Sequence, residues 1–313
     1  MKDKKVVITG GAGFIGSNLT RFLMNAKNHV TVIDDLSTGR LENIQDIIDE
    51  KNFRFVEGSI TDLDLLHDIF KNVEYVFHQA ALPSVPRSIK DPLTTNAVNI
   101  NGTLNVLVAT KDAGVRKVIY ASSSSVYGDT PTLPKKESMI PNPLSPYAVS
   151  KLTGEYYCQI FTDVFHLPTV SLRYFNVYGP RQDPSSEYAA VIPKFIKNVL
   201  EDKSPVVYGD GEQTRDFTFI DDVIQANIRA AESDATGVFN TAGGKRISIN
   251  DLAKTVMRLC NKKMDIIYDD ARPGDIKHSL ADSSKAKDAF GYIPKYDIKK
   301  GLKETIPWYQ KQQ

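Results

Sequence analysis

Lys4-Lys5-Val6-Val7-Ile8-Thr9-Gly10-Gly11-Ala12-Gly13-Phe14-Ile15-Gly16 reads as an apolar strand, a glycine turn and the first turn of a helix. The spacing Gly10-x-x-Gly13-x-x-Gly16 meets three physical needs: a turn with unusual φ, a backbone that approaches a pyrophosphate without a Cβ in the way, and a helix packed closely on the strand before it. The N–H groups at the start of that helix then face phosphate charge, with Phe14 and Ile15 beside them. Val30-Thr31-Val32-Ile33-Asp34-Asp35 answers as a second strand ending in acid. An aspartate at 34 accepts hydrogen bonds from both adenosine ribose hydroxyls and repels an added phosphate, so the paired signals predict NAD rather than NADP.

At 313 residues the chain can bury a large core, as one big α/β unit with an annex or as two domains sharing an interface. A formal charge of +1 leaves no basic surplus for a nucleic acid or a membrane surface. Cys158 and Cys260 lie far apart without metal-ligand spacing, and the N-terminus leads straight into a strand, which together predict a cytoplasmic, reducing location. The five histidines are scattered, and neither a metal site nor a serine triad is expected. His78, inside the apolar run Glu74–His78, reads as a satisfied core histidine.

Strand-like runs at 5–9, 30–34, 53–57, 74–79, 117–122 and 168–174 alternate with helical patterns at 14–27, 62–71, 92–113 and 145–166. This alternation predicts an α/β fold with a Rossmann-type doubly wound parallel sheet, the cofactor lying along the carboxyl ends of its strands. Beyond Tyr178 the rhythm changes: Gly179-Pro180 and Asp183-Pro184 break the chain, a helix follows at 190–202, and the remaining elements are shorter. The expected division is a dinucleotide-binding domain over 1–177, carrying the catalytic residues, and a smaller C-terminal α/β substrate-binding domain over 178–313 with segments returning to the first. Pro131, Pro134, Pro141, Pro143 and Pro146 mark a loop of the kind that closes on ligand.

Tyr147-Ala148-Val149-Ser150-Lys151 places a phenol and an ammonium at i and i+4, on one helix face, where the cation favours the phenolate. Tyrosine titrates near ~10, so a lysine and the positive nicotinamide are both needed to make it a base at neutral pH. Upstream, the strand end Tyr120-Ala121-Ser122-Ser123-Ser124-Ser125 delivers hydroxyls to the edge where the nicotinamide should lie. Tyr296 and Lys300 repeat the Tyr-x-x-x-Lys spacing near the C-terminus and read as a chance match.

Taken together, the glycine motif, the Ser123 position, Tyr147-x-x-x-Lys151 and Arg173-Tyr174-Phe175-Asn176-Val177-Tyr178-Gly179 resemble the extended short-chain dehydrogenase/reductase family. More narrowly, the chain resembles NAD-dependent UDP-sugar 4-epimerases over essentially its whole length, including Gly209–Phe217 and Arg272–Asp275. The resemblance implies that Tyr147 is the base, that Lys151 binds the nicotinamide ribose and lowers the tyrosine pKa, and that Ser123 holds the sugar 4-hydroxyl. It places Asp34, Asp35, Ser37, Thr38 and Gly39 at the adenosine half, with Ser59 and Ile60 near adenine. Ser59 departs from the family, which usually has aspartate there. Gln79, Ala80, Ala81, Asn99, Ser122, Tyr174 and Val177 are assigned to the nicotinamide half. Ser84, Ser124, Ser125, Asn176, Ala190, Val191, Tyr208, Arg215, Arg272, Asp275 and Ser279 are assigned to the substrate. Two arginines suit a diphosphate because each guanidinium is a forked, permanently charged donor set.

Related 4,6-dehydratases carry Asp-Glu at the positions of Ser124-Ser125, and UDP-glucuronate decarboxylases carry Glu at the second. Elimination needs a base at C5 and an acid for the leaving hydroxyl, roles serine fills poorly. Epimerisation needs neither, and is redox-neutral, with NAD regenerated each cycle. Ser279 falls where tyrosine fills the pocket wall in glucose-restricted relatives, so serine opens room for an N-acetyl group. The expected reaction is therefore UDP-N-acetylglucosamine to UDP-N-acetylgalactosamine, with UDP-glucose also accepted. Arg87 keeps a UDP-glucuronate 4-epimerase as the alternative, and a non-catalytic NAD-sensing regulator is the alternative of another class. Family analogy implies a homodimer through 92–113 and 145–166, with no nucleic-acid or membrane partner.

Overall fold

The computed structural model describes residues 1–184, 190–271 and 276–312. Seven strands form one parallel sheet: β1 (Lys5–Thr9), β2 (His29–Asp34), β3 (Phe53–Glu57), β4 (Tyr75–His78), β5 (Lys117–Ser123), β6 (Thr169–Tyr174) and a seventh, Gly237–Thr241. From one edge to the other they run Gly237–Thr241, β6, β5, β4, β1, β2, β3. The chain winds outward from β1 to β3, then crosses to β4 on the other side of β1. This reversal opens a crevice at the carboxyl ends of β1 and β4, where such sheets bind ligands.

Successive side chains of the strands enter opposite cores. Val6 and Ile8 of β1, with Ile119 and Ala121 of β5, join one apolar cluster; Val7, Val118 and Tyr120 join the other. Both faces are covered, which explains the continuous apolar runs in place of alternation. The first cluster is shared with Val223, Ile224 and Ala226 of the helix Ile220–Glu232, so the C-terminal half packs on the sheet as well as supplying its seventh strand.

The six sequence-read strands lie where expected, to within a residue or so. Helix 92–113 is interrupted: Pro92–Asn96 and Gly102–Asp112 are α-helical, and Ala97–Asn101 between them is a π stretch, a feature frequent at functional sites. The helix Pro146–Phe165 begins where its signals say, with the Ser145 hydroxyl accepting from the Ala148 N–H at 3.1 Å and proline at the first helical position. That start sets the phase that turns Tyr147 and Lys151 toward the sheet. Further on, short strands pair as Val206–Tyr208 with Ile267–Asp269 and Thr214–Asp216 with Arg246–Ser248. Among the described residues no helix is long and apolar enough to cross a membrane.

Candidate active site

The crevice continues into a cleft of about 790 Å³ along the carboxyl ends of the strands. Gly10, Gly13, Phe14, Ile15, Gly16, Asp34, Asp35, Ser37, Thr38, Gly39, Ile60, Gln79, Ala80, Ala81, Ser122, Tyr147, Lys151 and Tyr174 all line it. Gly10 takes φ +71°, and a Cβ on Gly16 would sit 2.1 Å from the Gly10 carbonyl oxygen. A Cβ on Gly13 would meet only that oxygen, at 3.2 Å, and otherwise open space. Such a cradle fits the close approach of a pyrophosphate. At the adenosine end, Asp34 accepts from the N–H groups of Ala12 and Leu36, both at 2.9 Å. Burial pushes its carboxyl up, and these backbone donors pull it back. The donor set and the glycine backbone thus fit NAD, and no described group of His, Cys, Asp and Glu could hold a metal.

Three expected cofactor residues lie outside this cleft. Val177 lines the neighbouring cavity. Ser59 accepts from the Thr61 N–H at 3.3 Å and the Thr61 hydroxyl at 3.0 Å. Asn99, buried in the π stretch, spends its amide on Leu82, accepting from its N–H at 2.7 Å and donating to its carbonyl at 3.1 Å. His78 bonds to Thr9 at 2.7 Å and Thr103 at 2.9 Å, and burial drives its pKa down to about 3, so it is a neutral core histidine.

Lys151 is buried and donates to the Ala121 carbonyl at 2.8 Å, its ammonium 5.9 Å from the Tyr147 ring centroid. Loss of solvent lowers its pKa to about 8. Burial also raises the Tyr147 phenol above its ordinary value, and the Ser123 hydroxyl opposes this. Within the chain alone, therefore, desolvation outweighs the Ser123 hydroxyl, and the phenol lies above its ordinary value. Ser123 also caps the turn after β5, accepting from the Ser125 N–H at 3.2 Å. Ser124 lies in that turn, and the Ser125 hydroxyl is buried with no partner among the described residues. Tyr174 is held by Asn227, whose amide donates to its oxygen at 2.9 Å, and burial raises the phenol to about 12, so it stays neutral.

A second cavity of about 220 Å³ collects Asn176, Ala190, Val191, Tyr208 and Arg215, as expected for substrate, and adds Val177, Val207, Gln213 and Phe217. Apolar walls with a few polar groups suit a nucleobase. Ala190 lines both cavities, so the two meet there. Ser279 stands behind the slot, its oxygen accepting from Asn176 Nδ2 and from the Asp216 N–H, both at 3.2 Å. Ser84 takes φ +97° and caps the helix Val85–Lys90; it lines the cofactor cleft with Arg87. Arg272 and Asp275 lie outside the described residues. Tyr296 and Lys300 stack on each other at 4.2 Å away from both cavities, with the Tyr296 hydroxyl on Asp221.

The sequence reading missed Arg40, Arg181, Asp183 and Trp308, all of which line the cofactor cleft. Arg40 pairs with Asp183 at 2.6 Å across 143 residues of chain, a distance no local motif spans.

The NAD dependent epimerase/dehydratase family profile matches residues 6–242. A solved UDP-N-acetylglucosamine 4-epimerase from Methanobrevibacter ruminantium M1, in complex with UDP-N-acetylmuramic acid, is 47% identical, covers 100% of both chains and superposes with a TM-score of 0.97. A UDP-glucose 4-epimerase of Mycolicibacterium smegmatis is 37% identical over 98% of each chain. A UDP-glucuronate 4-epimerase of Thermodesulfobacterium geofontis is 35% identical, over 96% of this chain and 95% of its own. With its glycine cradle, its Tyr147–Lys151 pair and this likeness along its length, the chain belongs to the NAD dependent epimerase/dehydratase family.

Proposed function

We propose that this NAD-dependent UDP-sugar 4-epimerase works chiefly on UDP-N-acetylglucosamine, exchanging it with UDP-N-acetylgalactosamine, and accepts UDP-glucose as well. The junction at Ala190 carries the reading: Ala190 lines both the nucleotide slot and the cleft that Tyr147 lines, so in this reading a UDP group seated in the slot directs its hexose into that cleft. Support for the N-acetyl preference comes from the small side chain of Ser279, which backs the slot-lining Asn176, and from the 47% identical neighbour described as a UDP-N-acetylglucosamine 4-epimerase.

When bound, NAD supplies a hydride acceptor and donor for C4 of the sugar. The Tyr147 oxygen takes the proton of the 4-hydroxyl and returns it after the ketone has presented its other face. Ser123 holds the same sugar oxygen. The Lys151 cation beside the ring favours the phenolate, and with a pKa near 8 it remains mostly charged at neutral pH. Ser125, its hydroxyl otherwise unpartnered, is available to a neighbouring sugar hydroxyl. Arg272 and Arg215 serve the diphosphate in this reading, and Asp275 belongs with them to the nucleoside diphosphate site.

Arg87 supports a second reading. Its guanidinium lines the cleft near Ser84 and makes no hydrogen bond or ion pair among the described residues, which would suit a uronate carboxylate. A regulator without catalysis has no need of Ser123, Tyr147 and Lys151 together. Incubation of the purified protein with UDP-N-acetylglucosamine, UDP-glucose and UDP-glucuronate, without added NAD and followed by NMR, decides among them. Fastest turnover of the N-acetylated sugar is expected; turnover of UDP-glucuronate alone moves the assignment to Arg87, and no product from any sugar, even with NAD supplied, removes the epimerase reading.

The exposed apolar residues Ile89, Leu93, Tyr156, Ile160 and Val164, carried by the segments 85–112 and 146–165, form the face on which we read a homodimer. Sedimentation of the purified protein at twice the chain mass is the expected outcome. Cys158 and Cys260, both free, suit a reducing cytoplasm.

A further inference from the structure

Tyr147, Lys151 and Glu155 stand four residues apart on the helix Pro146–Phe165 and share one of its faces. That face meets the end of β5 residue by residue. Lys151 donates to the Ala121 carbonyl at 2.8 Å, the Ser122 hydroxyl donates to Glu155 Oε1, and Tyr147 has the Ser123 hydroxyl beside it. Two of these three helix residues have evident chemical work. Glu155 does not line the cofactor cleft or the nucleotide slot, yet its carboxylate is buried to 2% exposure.

What holds Glu155 is Arg173, whose Nε and Nη2 donate to its two oxygens at 2.8 and 2.7 Å. Arg173 stands opposite Ser122 in the pairing of β5 with β6, and its guanidinium lies 4.6 Å from the Tyr127 ring centroid. The carboxylate is therefore fixed by two neighbouring strands at once, and the helix is fixed through it. A buried ion pair is a poor device for stability, since apolar residues of similar volume often do as well or better. Its geometric effect is specific: helix sliding or rotation breaks the bidentate contact and the Ser122 bond together.

We propose that Glu155, gripped by Arg173 and Ser122, is a positioning residue for epimerisation that sets the height and rotation of the catalytic helix on β5, and with them the approach of the Tyr147 phenol to Ser123. The inference rests on 4-epimerase activity and is independent of which sugar is preferred. A misplacement of about 1 Å at the reacting groups costs roughly 100-fold in rate, so the consequence is measurable.

Two charge-neutral double variants of the holoenzyme test it. E155Q/R173M keeps an acceptor for the Ser122 hydroxyl, and E155M/R173M removes it. For each, kcat, KM, bound NAD and the thermal midpoint are measured with the sugar the wild type turns over fastest. The expected result for E155M/R173M is a kcat lower by about 100-fold, with KM within about two-fold and NAD retained, and for E155Q/R173M a recovery of at least about ten-fold. A kcat for E155M/R173M within about two-fold of wild type, or an equal loss in both variants, makes the pair purely structural and overturns the proposal. Where E155M/R173M does not fold, E155Q/R173M decides by itself, since neither residue lines the cofactor cleft or the nucleotide slot. This variant is then expected to lower kcat by about five-fold or more at unchanged KM and NAD content, and an unchanged kcat overturns the proposal.

Discussion

Gly10 and Ala80 meet backbone to backbone across the switch point of the sheet: a Cβ on Gly10 would lie 2.6 Å from the Ala80 nitrogen. Gly13, three residues on, has only the Gly10 oxygen at 3.2 Å to meet. The two glycines should therefore fail differently. Gly10→Ala strains the turn itself, both by this clash and by its φ of +71°, and should lower the thermal midpoint of NAD-stripped protein. Gly13→Ala should leave that midpoint nearly unchanged yet lose bound NAD, because its methyl points to where the pyrophosphate approaches. Nucleotide content by absorbance together with the melting of stripped protein separates the cases, and retained NAD in Gly13→Ala would contradict the placement.

Asn99 grips Leu82 through both ends of its amide, and its Nδ2 also lies 3.1 Å from the Ser150 hydroxyl. Asn99→Ala leaves a buried N–H and a buried carbonyl of Leu82 unpaired, at a cost of about 1–3 kcal/mol. The loop beyond Leu82 carries Ser84 and Arg87, so the loss should appear as a lower thermal midpoint and a raised KM for the sugar nucleotide. Had Asn99 faced the nicotinamide instead, NAD retention would suffer first, and the ratio of the two effects is the measurement.

This residue also shows where sequence reasoning stops. A buried amide looks the same in sequence whether it faces a ligand or a neighbouring loop. The glycine turn, Asp34 and the Tyr147–Lys151 pair were legible because the chemistry demands those residue types at those spacings. Gly237–Thr241 was not legible as a sheet member. Its Asn240 is buried by donating to the carbonyls of Lys135 and Asp282 and by accepting from the Tyr127 hydroxyl, so polar bonding replaces the apolar run that marks the other strands. Trp308 reaches the cofactor cleft from the last helix, and only the tertiary fold brings it there.

Ser279 offers a test of sugar choice. Its oxygen receives bonds from Asn176 and the Asp216 N–H, so Ser279→Tyr both adds bulk and breaks two contacts, whereas Ser279→Ala breaks the contacts alone. If the wall is steric, Ser279→Tyr should cut kcat/KM for UDP-N-acetylglucosamine by about 10–200-fold while sparing UDP-glucose. Ser279→Ala should lower both sugars alike, by a few-fold. Parallel losses of both sugars in Ser279→Tyr would remove Ser279 from the pocket wall.

Lys151 ties catalysis to stability through its pKa of about 8, well below the 10.5 of a solvated lysine. The unfolded chain holds this proton up to about pH 10.5 and the folded chain releases it near 8, so between these values the unfolded state binds more protons and stability rises with pH. Below pH 8 both states are protonated and the burial penalty is felt in full; by pH 10.5 it has faded. The shift corresponds to about 3 kcal/mol across the window. Urea unfolding of NAD-stripped protein at pH 7 and pH 9.5 should show wild type gaining stability relative to Lys151→Met, which keeps the apolar stem and has no proton to lose. The same variant should lose at least about 100-fold in kcat, as the charge beside the phenol disappears. Parallel pH slopes for the two proteins would mean that Lys151 titrates as a solvated lysine, and the charge it lends Tyr147 would then persist unchanged far above pH 8.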